Sequence, residues 1–370
     1  MNIKSCVFAA LACAAAFVVD SACAQATAPA GYPADYARVA AQARAEGKVV
    51  LYAAADLSSV AGLVRDFESL YPGVKVEYRE LNSDDLYNRF VGEVNSHHAV
   101  ADVLWSPAMD LQMKLANDNH AAAYRSPEAA QLPEWAIWRD MAYGTTFEPA
   151  VFAYNKRFVP EAEVPRTHAE FMNLLATRRD KYVGKVLTYD VRRSAIGFLF
   201  ASQDSRILHG FWDFVKLLGD NAVQFEPETA AMVQRIASGR SYLGYNMIGS
   251  YTLARARLDP AIGVVMPKDY TLVMSRIALI SRYAPHPNAA RLWLDYLLSH
   301  RGQTLLAQRA EMFAIRADVA GDLTSGKLRE TLGASMKAIN VGPGLLVYRD
   351  QSKHAEFLRR WEQETRQPAK

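Results

Sequence analysis

Apolar and polar residues alternate along the first third of this chain in two rhythms, one typical of strands and one of helices. Three short runs rich in apolar or β-branched residues are predicted as strands, at 48–53, 74–78 and 101–105. Between them, apolar residues recur at helical spacing from Val60 to Leu70, and a second helix is predicted to end at Val94. This order of strands and helices predicts an open α/β sheet with right-handed crossovers.

Two loops, 54–59 and 105–110, leave the carboxyl ends of these strands, where open α/β sheets bind their ligands. Each loop places hydroxyls and free backbone N–H groups at the start of a helix, which favours an anion. The candidate ligand-binding residues in the two loops are Asp56, Ser58, Ser59, Trp105 and Ser106. Each serine taken alone is better explained as a helix cap, but two such loops in one lobe indicate a shared site.

The pattern repeats in the middle of the chain. A strand at 184–190 leads into an apolar helix from Phe198, and a strand at 242–246 leads into a basic helix. A guanidinium beside a helix N-terminus suits a phosphate or a carboxylate. The candidates at these two strand ends are Asp190, Arg193, Ser194, Asn246, Ser250 and Tyr251, although Tyr251 would equally suit packing against the basic helix.

Two extended segments, 141–155 and 263–276, are predicted to cross between two lobes, and they add the candidates Tyr143, Thr145 and Asp269. The mostly helical end of the chain is expected to pack back on the first lobe. The expected division is a signal peptide at 1–26, a tether and helix at 27–47, a first lobe of 48–144 plus 275–370, and a second lobe of 145–274, with hinges near 143–152 and 263–275. Two lobes joined by two strands form a cleft that opens and closes.

The N-terminus has the residue order of a secretory signal peptide. Lys4 precedes an apolar run from Val7 to Val19, and the small residues that follow predict cleavage after Ala24 or Ala26. The apolar run is shorter than the roughly 18–20 residues that span a bilayer. We therefore expect an exported, periplasmic protein.

All three cysteines, Cys6, Cys13 and Cys23, lie in or beside this segment. Cleavage would leave a chain without thiols, which excludes cysteine nucleophiles, disulfide scaffolds and thiolate metal sites. Lipid attachment at Cys23 is not expected, because Asp20 stands where that signal normally has an aliphatic residue.

Composition indicates a globular protein, since 51% of the 370 residues are hydrophobic and the formal net charge is only +3. Basic residues occur in isolated pairs, such as Arg178 with Arg179, and do not collect into a basic stripe. This distribution argues against nucleic acid as a partner. Motifs of serine hydrolases, zincins and P-loop nucleotide hydrolases are absent. The sequence therefore gives no reason to expect catalysis, a cofactor or a metal.

With the export signal, three segments carry a family resemblance: the opening 49–56, the strand 101–106 and the crossing 143–155. They resemble solute-binding proteins of ABC importers with the type II periplasmic-binding fold. Within that group the likeness is greatest to the branch that binds ferric ions, hexose phosphates and phosphonates. The resemblance extends from about Lys48 to Tyr348, and it implies an α/β protein of two lobes, each an open and mostly parallel sheet flanked by helices, joined by two crossing strands.

The resemblance implies a non-enzymatic receptor that closes on one small ligand and delivers it to an ABC permease in the inner membrane. We expect this receptor to be a monomer whose two crossings act as hinges. A periplasmic sensor kinase is an alternative or additional partner. An exported enzyme on a related scaffold, such as a deaminase, would need a base in the cleft, for which only a carboxylate such as Asp190 is available.

The resemblance also bears on the ligand. Ferric-binding members use two adjacent tyrosines at the strand end that corresponds to 246–251, where this chain has only Tyr251. We therefore expect a small organic anion, phosphorylated, with ferric iron as the alternative ligand. The residues expected to supply hydroxyls to the anion are Ser58, Ser59, Ser106, Thr145 and Ser194, and Asp190 or Asp269 would hold hydroxyl or amine groups of the ligand.

Overall fold

The computed structural model describes residues 32–34 and 36–366. The predicted signal peptide, its cleavage site and the three cysteines lie outside these residues. Within them, no helix combines the length and the apolar character that a membrane span requires.

The strands are β1 (Lys48–Ala53), β2 (Lys75–Glu80), β3 (Val103–Ser106), β4 (Ile137–Trp138), β5 (Ala142–Gly144), β6 (Glu148–Asn155), β7 (Val186–Tyr189), β8 (Gln224–Glu226), β9 (Leu243–Ile248), β10 (Ile262–Val265), β11 (Thr271–Met274), β12 (Ile277–Ile280) and β13 (Met336–Ala338). The α-helices are α1 (Tyr36–Glu46), α2 (Leu57–Leu70), α3 (Ser83–Asn95), α4 (Met109–Asn117), α5 (His168–Thr177), α6 (Arg179–Tyr182), α7 (Ala195–Ile207), α8 (Phe211–Asp220), α9 (Thr229–Ser238), α10 (Gly249–Leu258), α11 (Pro287–Leu298), α12 (His300–Gln308), α13 (Ser325–Leu332) and α14 (Gln351–Thr365). Short 3₁₀ helices lie at Pro127–Gln131, Glu134–Ala136, Glu161–Glu163, Gly333–Ser335 and Pro343–Arg349.

The first sheet has the strand order β2-β1-β3-β12-β5-β4. Strand β1 pairs in parallel with β2 and β3, whereas β12 runs antiparallel to β3 and β5, and β4 antiparallel to β5. Helix α2 covers this sheet through Val60, Leu63 and Phe67, which recur at helical spacing and are buried. Phe67 packs edge-on against Trp293 of α11, with 5.0 Å between ring centroids.

The second sheet has the strand order β13-β11-β6-β9-β7-β8, and β10 also pairs with β6. Strand β7 is parallel to β8 and β9, and β11 is parallel to β13, whereas β6 is antiparallel to β9, β10 and β11. The core on one face of this sheet is aromatic. Phe152 of β6 packs against Phe171 of α5 and Tyr245 of β9, with ring centroids 5.0 and 5.4 Å apart.

The predicted α/β class, with helices flanking each sheet, is confirmed. Both sheets are mixed, however, and not mostly parallel as expected. The reason is that β6, β11 and β12, which flank the crossings, pair antiparallel with neighbouring strands of their sheets.

The chain passes from the first sheet to the second between β5 and β6, and returns between β11 and β12. The crossings are thus residues 145–147 and 275–276, shorter than the segments expected to act as hinges. They are short because β6 and β10 pair with each other inside the second sheet.

The C-terminal end of the chain lies with the second sheet, although we expected it on the first lobe. Strand β13 pairs with β11, and α14 packs on α8. The apolar face of α14 decides this packing, because Phe357 and Trp361 join a buried cluster with Phe198 and Phe211.

Candidate functional site

A cavity of about 230 Å³ lies between the two lobes, at the carboxyl ends of strands from both sheets. The first lobe contributes residues 54–56, which follow β1, and residues 80–84, at the end of β2 and after it. The second lobe contributes residues 193–196, at the start of α7, and residues 227–230, which follow β8. The other described lining residues are Pro107, Ile248, Tyr251 and Arg276. An interlobe position at strand ends is where α/β folds hold small ligands.

Five helices, α2, α3, α7, α9 and α10, begin in the segments that line this cavity or next to them. The first turn of a helix has backbone N–H groups without partners in the helix and carries partial positive charge. Ser194 partly satisfies α7, since its hydroxyl accepts a hydrogen bond from the N–H of Gly197 at 3.3 Å. Helices α9 and α10 have no side-chain cap, so their N-termini leave donors available to a ligand.

Arg276, in the second crossing, is a lining residue that is only 1% exposed. Its Nε donates to a carboxylate oxygen of Glu148 at 2.9 Å and its Nη1 to the carbonyl oxygen of Ala54 at 2.6 Å. Its Nη2 is buried, and no described residue accepts a hydrogen bond from it. Burial alone would lower the pKa of Arg276, but the charge of Glu148 raises it, so the guanidinium is held charged.

Glu148, at the start of β6, is fully buried and bonded to both crossings. Besides Arg276, it accepts hydrogen bonds from the hydroxyl of Thr146, at 2.8 Å, and from the hydroxyl of Ser250. Its oxygens are thus engaged by groups from a crossing and from α10. Because a buried charge needs such partners, this network fixes Arg276 beside the cavity.

Two acidic residues in the lining accept hydrogen bonds from backbone N–H groups. Glu80 accepts a hydrogen bond from the N–H of Leu57 at 2.8 Å. Asp84 of the first lobe accepts one from the N–H of Ala195, the first residue of α7 in the second lobe, at 2.9 Å. Burial raises the pKa of Asp84, although the bond from Ala195 opposes this. Asp84 is therefore a direct contact between the lobes across the cleft.

Four of the residues expected at the site line the cavity: Asp56, Arg193, Ser194 and Tyr251. Burial raises the pKa of Tyr251, so this residue is held as a neutral phenol. Arg193 has no side-chain hydrogen bond, ion pair or aromatic contact with any described residue, which leaves its guanidinium available.

Three expected residues, Ser58, Ser59 and Ser250, line a neighbouring cavity together with Arg309 and Glu311. The two cavities share only Tyr251 among their described lining residues. Ser106 also stays outside the interlobe cavity. Its hydroxyl donates to that of Ser83 at 2.9 Å and accepts from the N–H of Ala108 at 3.2 Å, in the turn that precedes α4.

Trp105, Tyr143 and Thr145 are buried inside the first lobe and do not reach the cavity. The indole N–H of Trp105 donates to the hydroxyl of Thr145 at 2.8 Å, and this hydroxyl donates to the carbonyl of Arg276 at 2.8 Å. The hydroxyl of Tyr143 donates to the carbonyl of Tyr124 at 2.7 Å. These polar groups satisfy one another and hold the crossings in place.

The remaining expected residues meet partners in the second lobe and also lie outside the cavity lining. Asp190 forms an ion pair with Arg192 at 3.0 Å, and Asp269 lies 3.0 Å from the imidazole of His168. Asn246 has a positive φ of 55°. Its side-chain amide donates a hydrogen bond to the buried Asp204, and the residue does not line the cavity.

Sequence reasoning missed Arg276, Glu80, Asp84 and Glu228 in the lining. A signal existed for Arg276, since it is a lone charge between two apolar runs, 271–274 and 277–280. Charged side chains in buried strands are seldom tolerated without a partner. The sequence does not reveal that the partner is Glu148, because that residue lies 128 positions away, at the start of β6.

The fold and the cleft define a two-lobed binding protein, and comparison with known proteins identifies its family. The family model for bacterial extracellular solute-binding proteins matches residues 62–328. The chain therefore belongs to this family, and it has the type II periplasmic-binding fold. The family consists of receptors and not enzymes, and membership implies a periplasmic location.

Solved structures agree with this assignment. The chain is similar to the substrate-binding protein of an ABC transporter from Agrobacterium tumefaciens, with 37% identity, a TM-score of 0.82 and coverage of 86% of this chain and 94% of that one. It is also similar in fold to AfuA from Actinobacillus pleuropneumoniae, solved with fructose-6-phosphate bound, at 18% identity, a TM-score of 0.72 and coverage of 86% and 98%. The apo ferric-ion-binding protein A of Pasteurella haemolytica gives 18% identity, a TM-score of 0.68 and coverage of 85% and 98%. A comparison with curated proteins gave no match.

Proposed function

We propose that this protein is the receptor of an ABC importer and captures a small organic anion between its lobes. Membership of the solute-binding family supports the receptor role. The similarity to the transporter component of Agrobacterium tumefaciens supports the coupling to an ABC permease.

The anionic ligand is proposed from one observation, the free Nη2 of the buried Arg276 beside the cavity. A buried guanidinium nitrogen without an acceptor is costly, and an oxygen of a carboxylate or phosphate would satisfy it with a charge-assisted bond. The uncapped N-termini of α9 and α10 and the unpaired Arg193 favour the same charge. A phosphorylated ligand fits these donors, and AfuA offers a precedent on a similar fold.

Ferric iron is the weaker proposal for this site. Fe(III) is a hard cation that prefers anionic oxygen ligands such as phenolates. Tyr251 is the one tyrosine in the described lining, and burial raises the pKa of its phenol. A neutral phenol beside Arg193 and Arg276 is a poor start for a ferric site, and among the described residues no three carboxylate, histidine or cysteine side chains come together in a group that could hold a metal ion.

The test is isothermal titration calorimetry of the mature protein with fructose 6-phosphate, other sugar phosphates, phosphonates, carboxylates and Fe(III). For an anion that binds, Arg193→Ala is expected to weaken the affinity about tenfold or more, as loss of a charge-assisted bond does. Arg192→Ala is the matched control, because its side chain pairs with Asp190 and Glu362 outside the cavity.

Arg276→Lys is a second variant, which keeps a cation for Glu148 but lacks the second guanidinium nitrogen. We expect it to lose affinity while a thermal melt still shows a folded protein. Binding of Fe(III) alone, or an anion affinity that neither variant changes, would contradict the proposal.

A further inference from the structure

The charges around the interlobe cavity do not suit a ligand that is only an anion. Four carboxylates line it, on Asp56, Glu80, Asp84 and Glu228, against the guanidinium groups of Arg193 and Arg276. Glu148 already neutralises Arg276. The lining is therefore acidic in sum, although its donors favour an anionic group at one place.

The four carboxylates differ in whether a described residue engages them. Glu80 and Asp84 accept backbone hydrogen bonds, as described above. Asp56 precedes α2 and Glu228 precedes α9, yet neither side chain caps its helix or meets another described residue in a hydrogen bond or ion pair. Their oxygens remain available to a ligand.

Asp56 is an exposed carboxylate at the cavity with another carboxylate, Glu80, close by. Burial and the neighbouring charge of Glu80 raise the pKa of Asp56, and only Arg276 opposes them. Glu80 is the last residue of β2 and Asp56 follows the neighbouring strand β1, so the two lie at one edge of the cavity. A positively charged group of the ligand at this edge would relieve the repulsion between the two carboxylates.

We infer that the ligand is a zwitterion, with an anionic group at Arg276 and Arg193 and a protonated amine at Asp56 and Glu80. This inference rests on the proposed function, because it places the anionic group as that proposal does. The chemical class is a small amino acid or an amino-substituted phosphate or phosphonate. Asp56 is then the residue that selects the amine.

The experiment compares ligands that differ only in the amine. The pairs are glucosamine 6-phosphate with glucose 6-phosphate, 2-aminoethylphosphonate with ethylphosphonate, and 4-aminobutyrate with butyrate, each titrated calorimetrically into the mature protein. In at least one pair the amine should bind about tenfold more tightly or better, as expected for a charge-assisted contact.

Asp56→Asn removes the charge while keeping the shape, and should abolish most of that preference. Asp118→Asn is the matched control, because Asp118 lies on the first lobe, pairs with Lys114 and does not line the cavity. The wild-type preference should persist in this control.

Three outcomes would overturn the inference, and they separate it from the proposed function. Equal affinity for both members of every pair that binds, or an amine preference that Asp56→Asn leaves intact, would remove the amine and leave the anion receptor standing. Failure of every pair and of every other organic anion to bind would overturn both.

Discussion

Among single residues, Asp295 is a carboxyl group buried in the first lobe that forms no ion pair with any residue the structure describes. Among the described residues it meets the hydroxyls of Tyr36, Tyr124 and Ser126, which donate at 2.9, 2.6 and 2.6 Å. Burial, only partly offset by these bonds, raises the pKa of Asp295 to about 7. The folded state therefore keeps a proton on this group at a pH where the unfolded chain has lost it.

We expect Asp295 to make the protein less stable as the pH rises. Its favourable contribution is complete below the unfolded pKa of about 3.9 and is lost as the pH rises through about 7. Urea titrations across this range should show a steeper fall in the free energy of unfolding for the wild type than for Asp295→Asn.

Asp66→Asn is the control, because the stability that Asp66 contributes changes with pH in the opposite direction. The hydrogen bond from Arg301 lowers the pKa of Asp66, so the stability that Asp66 contributes is present above pH about 4 and is lost on acidification. Equal pH slopes for the wild type and Asp295→Asn would show that the buried carboxyl does not titrate as described.

Between elements, the packing of α14 on α8 depends on one glycine. A Cβ on Gly219 of α8 would lie 2.3 Å from the carbonyl oxygen of Glu364 and 2.8 Å from the Cα of Thr365. Backbone atoms cannot move aside as a flexible side chain does. The absence of a side chain at 219 therefore sets how closely the two helices approach.

Gly219→Ala is expected to lower the free energy of unfolding by about 1–3 kcal/mol, the usual cost of overpacking. Gly92→Ala on α3 is the control, because a Cβ there meets nothing within 4 Å. That change should stabilise the protein by up to about 1 kcal/mol through helix propensity. Urea denaturation measures both, and equal shifts for the two variants would refute the close approach of α14.

In the whole molecule, the C-terminal end makes a third connection between the lobes, beyond the two crossings. The 3₁₀ helix Pro343–Arg349 packs on α4 of the first lobe, and α14 then packs on α8 of the second. Arg349 pairs with the nearly buried Asp110 of α4 at 2.5 Å and lies over the ring of Phe198 of α7. This ion pair and the contact of Asp84 with Ala195 hold the same two lobes together.

Arg349→Ala should shift the protein without ligand towards a more open arrangement of the lobes, because it leaves Asp110 without its cation. Small-angle X-ray scattering should detect a larger radius of gyration than in the wild type. Arg360→Ala is the control, since among the described residues that side chain pairs with Glu364 on its own helix and stacks on Trp212 of the second lobe. A radius of gyration that Arg349→Ala leaves unchanged would mean that the crossings alone set the lobe arrangement.

Much of the fold could be predicted from the sequence because burial leaves a local pattern. Strand β1 and helix α2 lie where apolar runs and helical spacing placed them, and two crossings were expected. The C-terminal helix could not be placed in the same way. Its apolar face is visible in the sequence, but the cluster that covers it comes from residues 191–215.

The candidate site was predictable only in part. The rule that ligands lie at strand ends led to Asp56, Arg193, Ser194 and Tyr251, which share one cavity. The same rule could not tell that the side chains of Thr145 and Asn246 are hydrogen-bonded to neighbours inside the protein. A hydroxyl or amide near a cleft looks the same in the sequence whether it meets a ligand or a buried neighbour.

The alternation of strands and helices, the buried faces and the family could be read from the sequence, because residues close together in the chain or in a fixed order carry each of them. Which polar groups meet follows from the folded arrangement, which brings distant segments together. Arg276 finds Glu148 across 128 positions, and Asp84 finds Ala195 across 111. Since the cost of a buried charge depends on the partner it meets in space, the character of the cleft follows from those long-range contacts.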